Sequence, residues 1–298
     1  MTQAHPGTVT PNSPGPGNGN GARRQTTVGL AVIGNEVLSA KVRDENTPVL
    51  LDRLGLAGVR IGEVALLPDD PARIAQVVRD FADRFDFVVT TGGVGPTHDD
   101  CTWKAVAQAL GRPLVLHAEL VDRIRTRLGR PLTPEQERLA WLPEGTLVLG
   151  AEGRWPTLQV ANVFVLPGVP SLVVGRVEQI CAMLAQPRPE LATLYLTVDE
   201  WDEVPAIDAV VAAFGDVEIG SYPIFHDADH RLRLTFEGFE RDRVAAAVDL
   251  LLLRVGVQHL VRLVWREFAT DTGSREPAAG PAGLEPRGEA RPPPQEPA

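Results

Sequence analysis

Residues 86–107 read DFVVTTGGVGPTHDDCTWKAVA and put a backbone anion cradle next to a pair of carboxylates. Gly92, Gly93 and Gly95 let the chain turn tightly and bring backbone N–H groups close to a ligand, with Thr91 leading in. A helix predicted to start just after them adds unpaired amide donors and the positive end of its dipole, which suits a phosphate. The spacing is neither that of a phosphate-binding P-loop nor the GxGxxG of dinucleotide folds. Asp99 and Asp100 set acid beside this cradle. Either one caps the helix, or at least one holds a hard divalent cation such as Mg²⁺ between carboxylate and phosphate. Thr102 either adds a hydroxyl to the ligand site or is an ordinary early-helix residue. His98 reads as a turn histidine with one local hydrogen bond. Cys101 reads as a small buried residue, since no base is paired with it.

Two further loops have related chemistry. Gly34-Asn35-Glu36 follows an apolar run, and Asp44-Glu45-Asn46 opens a helical segment. Glu36 and Asp44 could supply carboxylates, as metal contact or base, and Asn35 and Asn46 could read polar edges. The alternative is turn chemistry at Gly34-Asn35 and helix capping at Asp44 or Asn46. Leu166-Pro167-Gly168-Val169-Pro170 again joins an apolar run to a helix, with Pro170 suited to a first helical position and Gly168 allowing close backbone approach. Three such junctions suggest one composite pocket for a phosphorylated, ring-bearing ligand.

The elements that would position these loops alternate. Strands are predicted at Thr27–Ile33, Val59–Leu66, Phe85–Thr90 and Val160–Leu166. Helices are predicted at Asn46–Leu56, Pro71–Phe81 (capped by Asp69 or Asp70), Asp100–Leu110, His117–Leu128, Pro134–Trp141 and Ser171–Leu184. This order predicts an α/β fold with a doubly wound, mostly parallel sheet, whose carboxyl edge is where ligands bind. Beyond Pro187 the order becomes strand (Leu194–Val198), helix (Glu203–Phe214), two strands (Val217–Ser221, Leu232–Phe236) and helix (Arg241–Val255). That suits a smaller C-terminal α+β unit. Tyr222 there is either a core or interface tyrosine or a stacking platform for a base.

The expected organisation is a disordered tail over 1–25, an α/β domain over 26–187, a small α+β domain over 188–268 and a Pro-rich disordered tail over 269–298. Both tails lack aromatic residues, and too little apolar surface is available to offset ordering entropy. With 44% hydrophobic and 23% charged residues the chain can bury a real core. A net charge of −10 gives no broad attraction to nucleic acid or anionic lipid. No apolar run is long enough to span a bilayer, and two cysteines make no disulfide framework, so a cytoplasmic location is expected. Lysine is nearly absent, with only Lys41 and Lys104 against 27 arginines, which a composition bias explains; both lysines fall near the loops above.

TTGGVGPTHDD with Thr102, GNE, DEN and LPGVP together resemble the molybdopterin-binding domain superfamily. Within it the chain is similar to CinA-type competence/damage-inducible proteins and to the pterin-binding-like domain of some FAD synthases. The similarity runs from about Thr27 to Leu184 and more weakly to about Leu253. It implies a three-layer α/β fold, a homo-oligomer, and a pocket at the glycine turn. That pocket would take molybdopterin or another pterin or nucleotide phosphate. In the CinA-type branch it would support metal-dependent cleavage of the pyrophosphate in FAD or ADP-ribose, with Asp99, Asp100 and Glu36 as catalytic candidates. Molybdenum-cofactor biosynthesis and a non-catalytic binding module are the alternatives. Two positions depart from the pattern: Ala40 stands where Gly is frequent, and Lys104 where Glu is frequent, which bears on metal binding. No second catalytic domain is expected in the Pro-rich tail.

Overall fold

The computed structural model describes residues 24–150, 156–225 and 229–266. In chain order these form β1 (Thr27–Ile33), α1 (Asn35–Leu38), α2 (Asn46–Leu56), β2 (Arg60–Leu67), α3 (Pro71–Arg84), β3 (Phe87–Thr91) and α4 (Thr102–Leu110). Next come β4 (Leu114–Leu116), α5 (Ala118–Leu128), α6 (Pro134–Glu137), β5 (Trp141–Pro143), β6 (Leu147–Leu149), β7 (Thr157–Val160), β8 (Val163–Leu166) and α7 (Pro170–Leu184). The rest are β9 (Glu190–Leu196), α8 (Glu200–Ala213), β10 (Glu218–Pro223), β11 (Leu232–Gly238), α9 (Arg241–Val255) and β12 (Leu260–Trp265). The expected tails fall, apart from residues 24 and 25, outside the described residues.

A six-stranded sheet runs in the order β2-β1-β3-β8-β7-β6. Its first four strands are parallel, and β7 and β6 are antiparallel additions. Alternation along β1 and β3 divides the core. Val28, Leu30, Phe87 and Val89 pack with Leu50, Leu54, Val173 and Val177 of α2 and α7. Ala31, Ile33 and Val88 pack with Ile74, Val78, Val106 and Leu120 of α3, α4 and α5. Strands this buried on both faces read as continuous apolar runs, which is why they are legible in sequence. The result is the three-layer α/β fold. Register aligns Ile33 with Leu67, Val32 with Thr91 and Thr91 with Leu166, so the parallel strands end together at one edge.

The second sheet has the order β10-β11-β9-β12, with every adjacent pair antiparallel. Ala192, Leu194, Leu196, Leu232, Leu234 and Phe236 face Val210, Val244, Val248 and Leu251 of α8 and α9. With β12 included, the unit is a strand–helix–strand–strand–helix–strand arrangement, a split βαβ pair. No helix among the described residues is long and apolar enough to cross a membrane.

Several boundaries differ from the sequence expectation. The strand expected over Val160–Leu166 is a hairpin, β7 turning at Ala161 and Asn162 into β8. Ala161 takes a left-handed φ of 49°, and the Asn162 amide donates to the Ala82 carbonyl at 3.0 Å. The helix expected over 134–141 ends at Glu137, because Arg138–Ala140 tightens into a 3₁₀ turn and Trp141 joins β5 against β4. The helix expected from Asp100 starts at Thr102. Four short strands and β12 were not anticipated. β4, β5 and β12 pair only with residues far along the chain, so local pattern carries little of their signal.

Asp70, not Asp69, caps α3: its carboxylate accepts from the amides of Ala72 at 2.9 Å and Arg73 at 3.4 Å, ahead of Pro71. Asp70→Ala is expected to cost about 1 kcal/mol of stability, read as a drop in midpoint on denaturant unfolding. Asp69→Asn is expected to move the midpoint far less, and equal losses would mean the two acids share the cap.

Candidate functional site

The loops leaving β1, β2, β3 and β8 all emerge at the common edge. After β3, Gly92 takes φ 99° and Gly93 φ 63°, conformations that cost an L-residue strain. A Cβ on Gly92 would stand 2.0 Å from the Ile33 carbonyl oxygen, so nothing but glycine passes here. The turn is bonded on three sides. The Gly92 amide donates to the Leu166 carbonyl at 3.2 Å, the Thr102 hydroxyl donates to the Gly92 carbonyl at 2.8 Å, and the Thr102 amide to the Gly93 carbonyl at 3.0 Å. Among the described residues the amides of Gly93, Val94 and Gly95 have no hydrogen-bond acceptor. The free donors are therefore three consecutive amides, starting one residue later than Gly92.

Beside this turn, Asn46 is buried and its amide donates to the Gly168 carbonyl at 2.7 Å and the Thr91 hydroxyl at 3.2 Å. Thr91 passes the chain of bonds on to the Pro167 carbonyl at 2.8 Å. These contacts lock the loops after β3 and β8 together and leave Asn46 Oδ1 buried without a partner. Asp44 accepts from the amides of Asn46 and Thr47, both at 3.0 Å, at the start of α2. The Thr102 and Thr91 hydroxyls, the Asn46 amide nitrogen and one Asp44 oxygen are thus engaged in the frame, and Asn46 Oδ1 is not. Gly168 lies exposed against Gly92, at the start of α7.

Glu36, Asp69 and Asp99, with Asn35, Leu38, Ser39 and Lys41, line a cleft of about 570 Å³. Asp69 enters through backbone geometry: with Asp70 occupied as the cap, its Oδ2 accepts from the Asn35 amide at 2.9 Å. Sequence reading held Asp69 only as a possible cap. The doublet after an apolar strand end, with one cap needed, was the signal that a second acid was left over. Gly34, whose amide donates to Leu67, turns β1 into this loop. Ala40 lies in the left-handed region at φ 55°, the conformation glycine would take there without strain.

Neither Asp99 nor Asp100 caps α4; the cap position is Cys101, which makes no side-chain cap bond. Both carboxylates turn back instead onto Thr97. Its hydroxyl lies 2.7 Å from Asp99 Oδ1 and 2.5 Å from Asp100 Oδ2, and its amide donates to Asp100 Oδ2 at 2.8 Å. A hydroxyl has one proton to donate, so one of the two close oxygen pairs has no proton of its own. The Thr97 hydroxyl, helped by the Asp99 amide, holds the Asp99 carboxyl below its ordinary range, so it is ionised at neutral pH. His98 is almost fully exposed, its Nδ1 3.9 Å from Asp99. Burial, then the charges of Asp69, Asp100 and Asp70, push the Cys101 thiol up, which leaves it protonated and inert. Lys104 is exposed on the first turn of α4, near enough to Cys101 to offset part of that rise. Tyr222 lies on β10 with the Arg233 guanidinium 4.5 Å from its ring centre, so one ring face is already covered.

A family model described as "Probable molybdopterin binding domain" matches residues 29–187, and one described as "FAD synthase, middle domain" matches 190–264. A protein of Archaeoglobus fulgidus is 31% identical over 220 residues, covering 72% of this chain and 92% of its own length. A "Probable FAD synthase" of Caenorhabditis elegans is 29% identical over 83% of this chain and 54% of its own length. A "CinA-like protein" of Anaeromyxobacter dehalogenans is 35% identical over 69% of this chain and 48% of its own. The chain spans about half the length of these last two relatives. The crystal structure of CinA from Thermoplasma acidophilum, described as of unknown function, superposes with a TM-score of 0.50 at 25% identity. The match covers 54% of this chain and all of the other.

Two substitutions probe the frame. Thr102→Val keeps the shape and removes the donor to Gly92, so a loss of about 1–3 kcal/mol is expected on denaturant unfolding. An unchanged midpoint would show that this bond does not hold the turn. Ala40→Gly relieves left-handed strain and is expected to raise stability by about 1 kcal/mol, seen as a higher melting temperature.

Proposed function

The chain belongs to the molybdopterin-binding domain family, and from that premise we propose that it binds a phosphorylated nucleotide or pterin at the glycine turn and hydrolyses the diphosphate bridge of FAD or ADP-ribose with a divalent cation. The observation that carries this reading is the convergence of Asp99, Asp100 and Thr97 oxygens beside three unpaired amides. Hard oxygen donors crowded round one proton suit Mg²⁺ or a similar ion, which keeps several waters and so needs few protein ligands. When bound, such an ion offsets the negative charge of phosphate oxygens. The name of the FAD synthase relative favours a nucleotide as ligand.

In this reading the amides of Gly93, Val94 and Gly95 hold one phosphate, at the positive end of the α4 dipole. Asp99 and Asp100 hold the cation, with Thr97 fixing both carboxylates. Glu36, exposed in the cleft, takes a proton from the attacking water. The water oxygen bonds to one phosphorus as the bridging P–O bond breaks, which releases AMP and a second monophosphate. Asn46 and Gly168 keep the turn and the start of α7 in register with that phosphate.

A second reading, a binding module without turnover, has one observation in its favour. Among the described residues no group of three or more His, Cys, Asp and Glu side chains is arranged to hold a metal ion. Work on the molybdenum cofactor would use the same cradle with a pterin in it.

The deciding experiment is AMP release from FAD and ADP-ribose with Mg²⁺, Mn²⁺ or Co²⁺ against EDTA. Turnover that needs the metal, and that falls by about a hundredfold or more in Asp100→Asn, is the expected result. Equal rates for wild type and Asp100→Asn would remove Asp100 from the site. Tight calorimetric binding of a pterin or nucleotide without turnover under any metal would select the second reading.

A further inference from the structure

We propose that Lys41 selects for a diphosphate in this cleft, its ammonium meeting the second phosphate of a diphosphate-bridged nucleotide while the glycine turn holds the first. This rests on the diphosphate reading above. It starts from an oddity of composition: the chain meets nearly all its need for positive charge with arginine, yet a lysine stands in the cleft. The second lysine, Lys104, is not among the residues that line it.

Lys41 is surrounded by acid and paired with none of it. Glu36, Asp69 and Asp99 line the same cleft, but among the described residues Lys41 has no ion pair within 4.0 Å. Asp69 is turned to the Asn35 amide and Asp99 to Thr97, so two of the three carboxylates already have donors. The lysine backbone, by contrast, is fixed. Its amide donates to the Glu36 carbonyl at 2.9 Å, the Val42 amide donates to the same oxygen at 3.1 Å, and the left-handed Ala40 makes that closure possible. Strain held at a non-glycine residue next to an unpaired cation is the kind of feature that accompanies ligand contact.

Charge supplies the selectivity. A monophosphate at Gly93–Gly95 meets neutral amides and needs no lysine. A Cβ on Gly93 would stand 3.6 Å from Asp69 Oδ1, so the cleft adjoins the turn, and a second phosphate placed there meets Glu36, Asp69 and Asp99, three carboxylates that repel it. A cation held by Asp99 and Asp100 offsets part of that repulsion, and Lys41 is the one lining residue with a positive side chain. A compact ammonium suits this role, since it contacts phosphate oxygens as a point charge without bidentate geometry.

The test is calorimetric binding of ADP-ribose, as its non-hydrolysable methylene-bridged analogue, and of AMP, with Mg²⁺ present, to wild type, Lys41→Gln and Lys41→Arg, with circular dichroism to show that each variant is folded. Lys41→Gln is expected to weaken ADP-ribose binding by about tenfold, the loss of one charge-assisted hydrogen bond. AMP affinity is expected to change by less than about twofold, and Lys41→Arg to recover most of the loss by restoring the charge. ADP-ribose affinity in Lys41→Gln equal to wild type overturns the inference, and so does an equal loss for both ligands. Either of those results leaves the proposed hydrolysis standing if wild type turns over. Folded wild type that binds neither ligand removes the diphosphate reading, and this inference with it.

Discussion

Gly92 has no room for a methyl group, and most of the site follows from that confinement. Its Cα faces the end of β1 closely enough that a Cβ would stand 2.0 Å from the Ile33 carbonyl, and a Cβ built on Gly168 would stand 3.4 Å from that same Cα. Its amide is bonded to the end of β8 and its carbonyl to the first residue of α4. One residue therefore ties β1, β8, α4 and the loop before α7 together. With Gly92 fixed by its own hydrogen bonds, the amides of Gly93, Val94 and Gly95 have no acceptor among the described residues. These three residues are half-buried, so water or a ligand can accept from them, and the frame that satisfies Gly92 also leaves the donors of the site free.

The polar residues at the edge divide into those that hold and those that face the cleft. Thr91, Asn46 and Thr102 donate to carbonyls of neighbouring loops, and Asp44 accepts from the first amides of α2. Glu36, Asp69, Asp99 and Lys41 line open space. The inward set is what makes the outward set precise, because loops joined side chain to backbone move less than loops joined by packing alone. Asp69 belongs to both groups: it braces the first turn of α1 and still faces the cleft.

Much of this was legible in sequence where a residue's neighbours along the chain decide its role. The doubly covered strands β1 and β3 read as apolar runs, and the glycine turn reads as a turn because only glycine tolerates its backbone. Legibility failed where a distant partner decides. The Asp69-Asp70 doublet contains one cap and one cleft acid, and only the Asn35 amide, from another loop, distinguishes them. For Asp99 and Asp100 the sequence left a helix cap and a cation ligand both open, and neither caps α4, because both fold back on Thr97. The hairpin at Ala161-Asn162 was hidden because Ala is a poor turn signal and the Asn162 side chain is anchored to Ala82, far away in sequence. β12 pairs only with β9, so its pattern of Leu, Val and Arg meant little until the second sheet existed.

The second sheet raises a different question, because one face is used and the other is not accounted for by a core. α8 and α9 cover the face built from Leu194, Leu234 and Phe236. On the reverse, the register places Tyr222, Arg233, Tyr195 and Arg262 in one row across all four strands. Arg233 lies over Tyr222 at 4.5 Å and Arg262 over Tyr195 at 3.9 Å, while Asp229 pairs with Arg262. Alternating aromatic rings and guanidinium groups satisfy one another across strands, each such pair contributing a few tenths to about 1 kcal/mol. An apolar row would have needed a third layer; this one lets a four-stranded sheet stand with helices on a single side. The contrast with the first sheet is physical. Parallel strands there require cover on both faces, and their ends must then gather at one edge, where the ligand chemistry is.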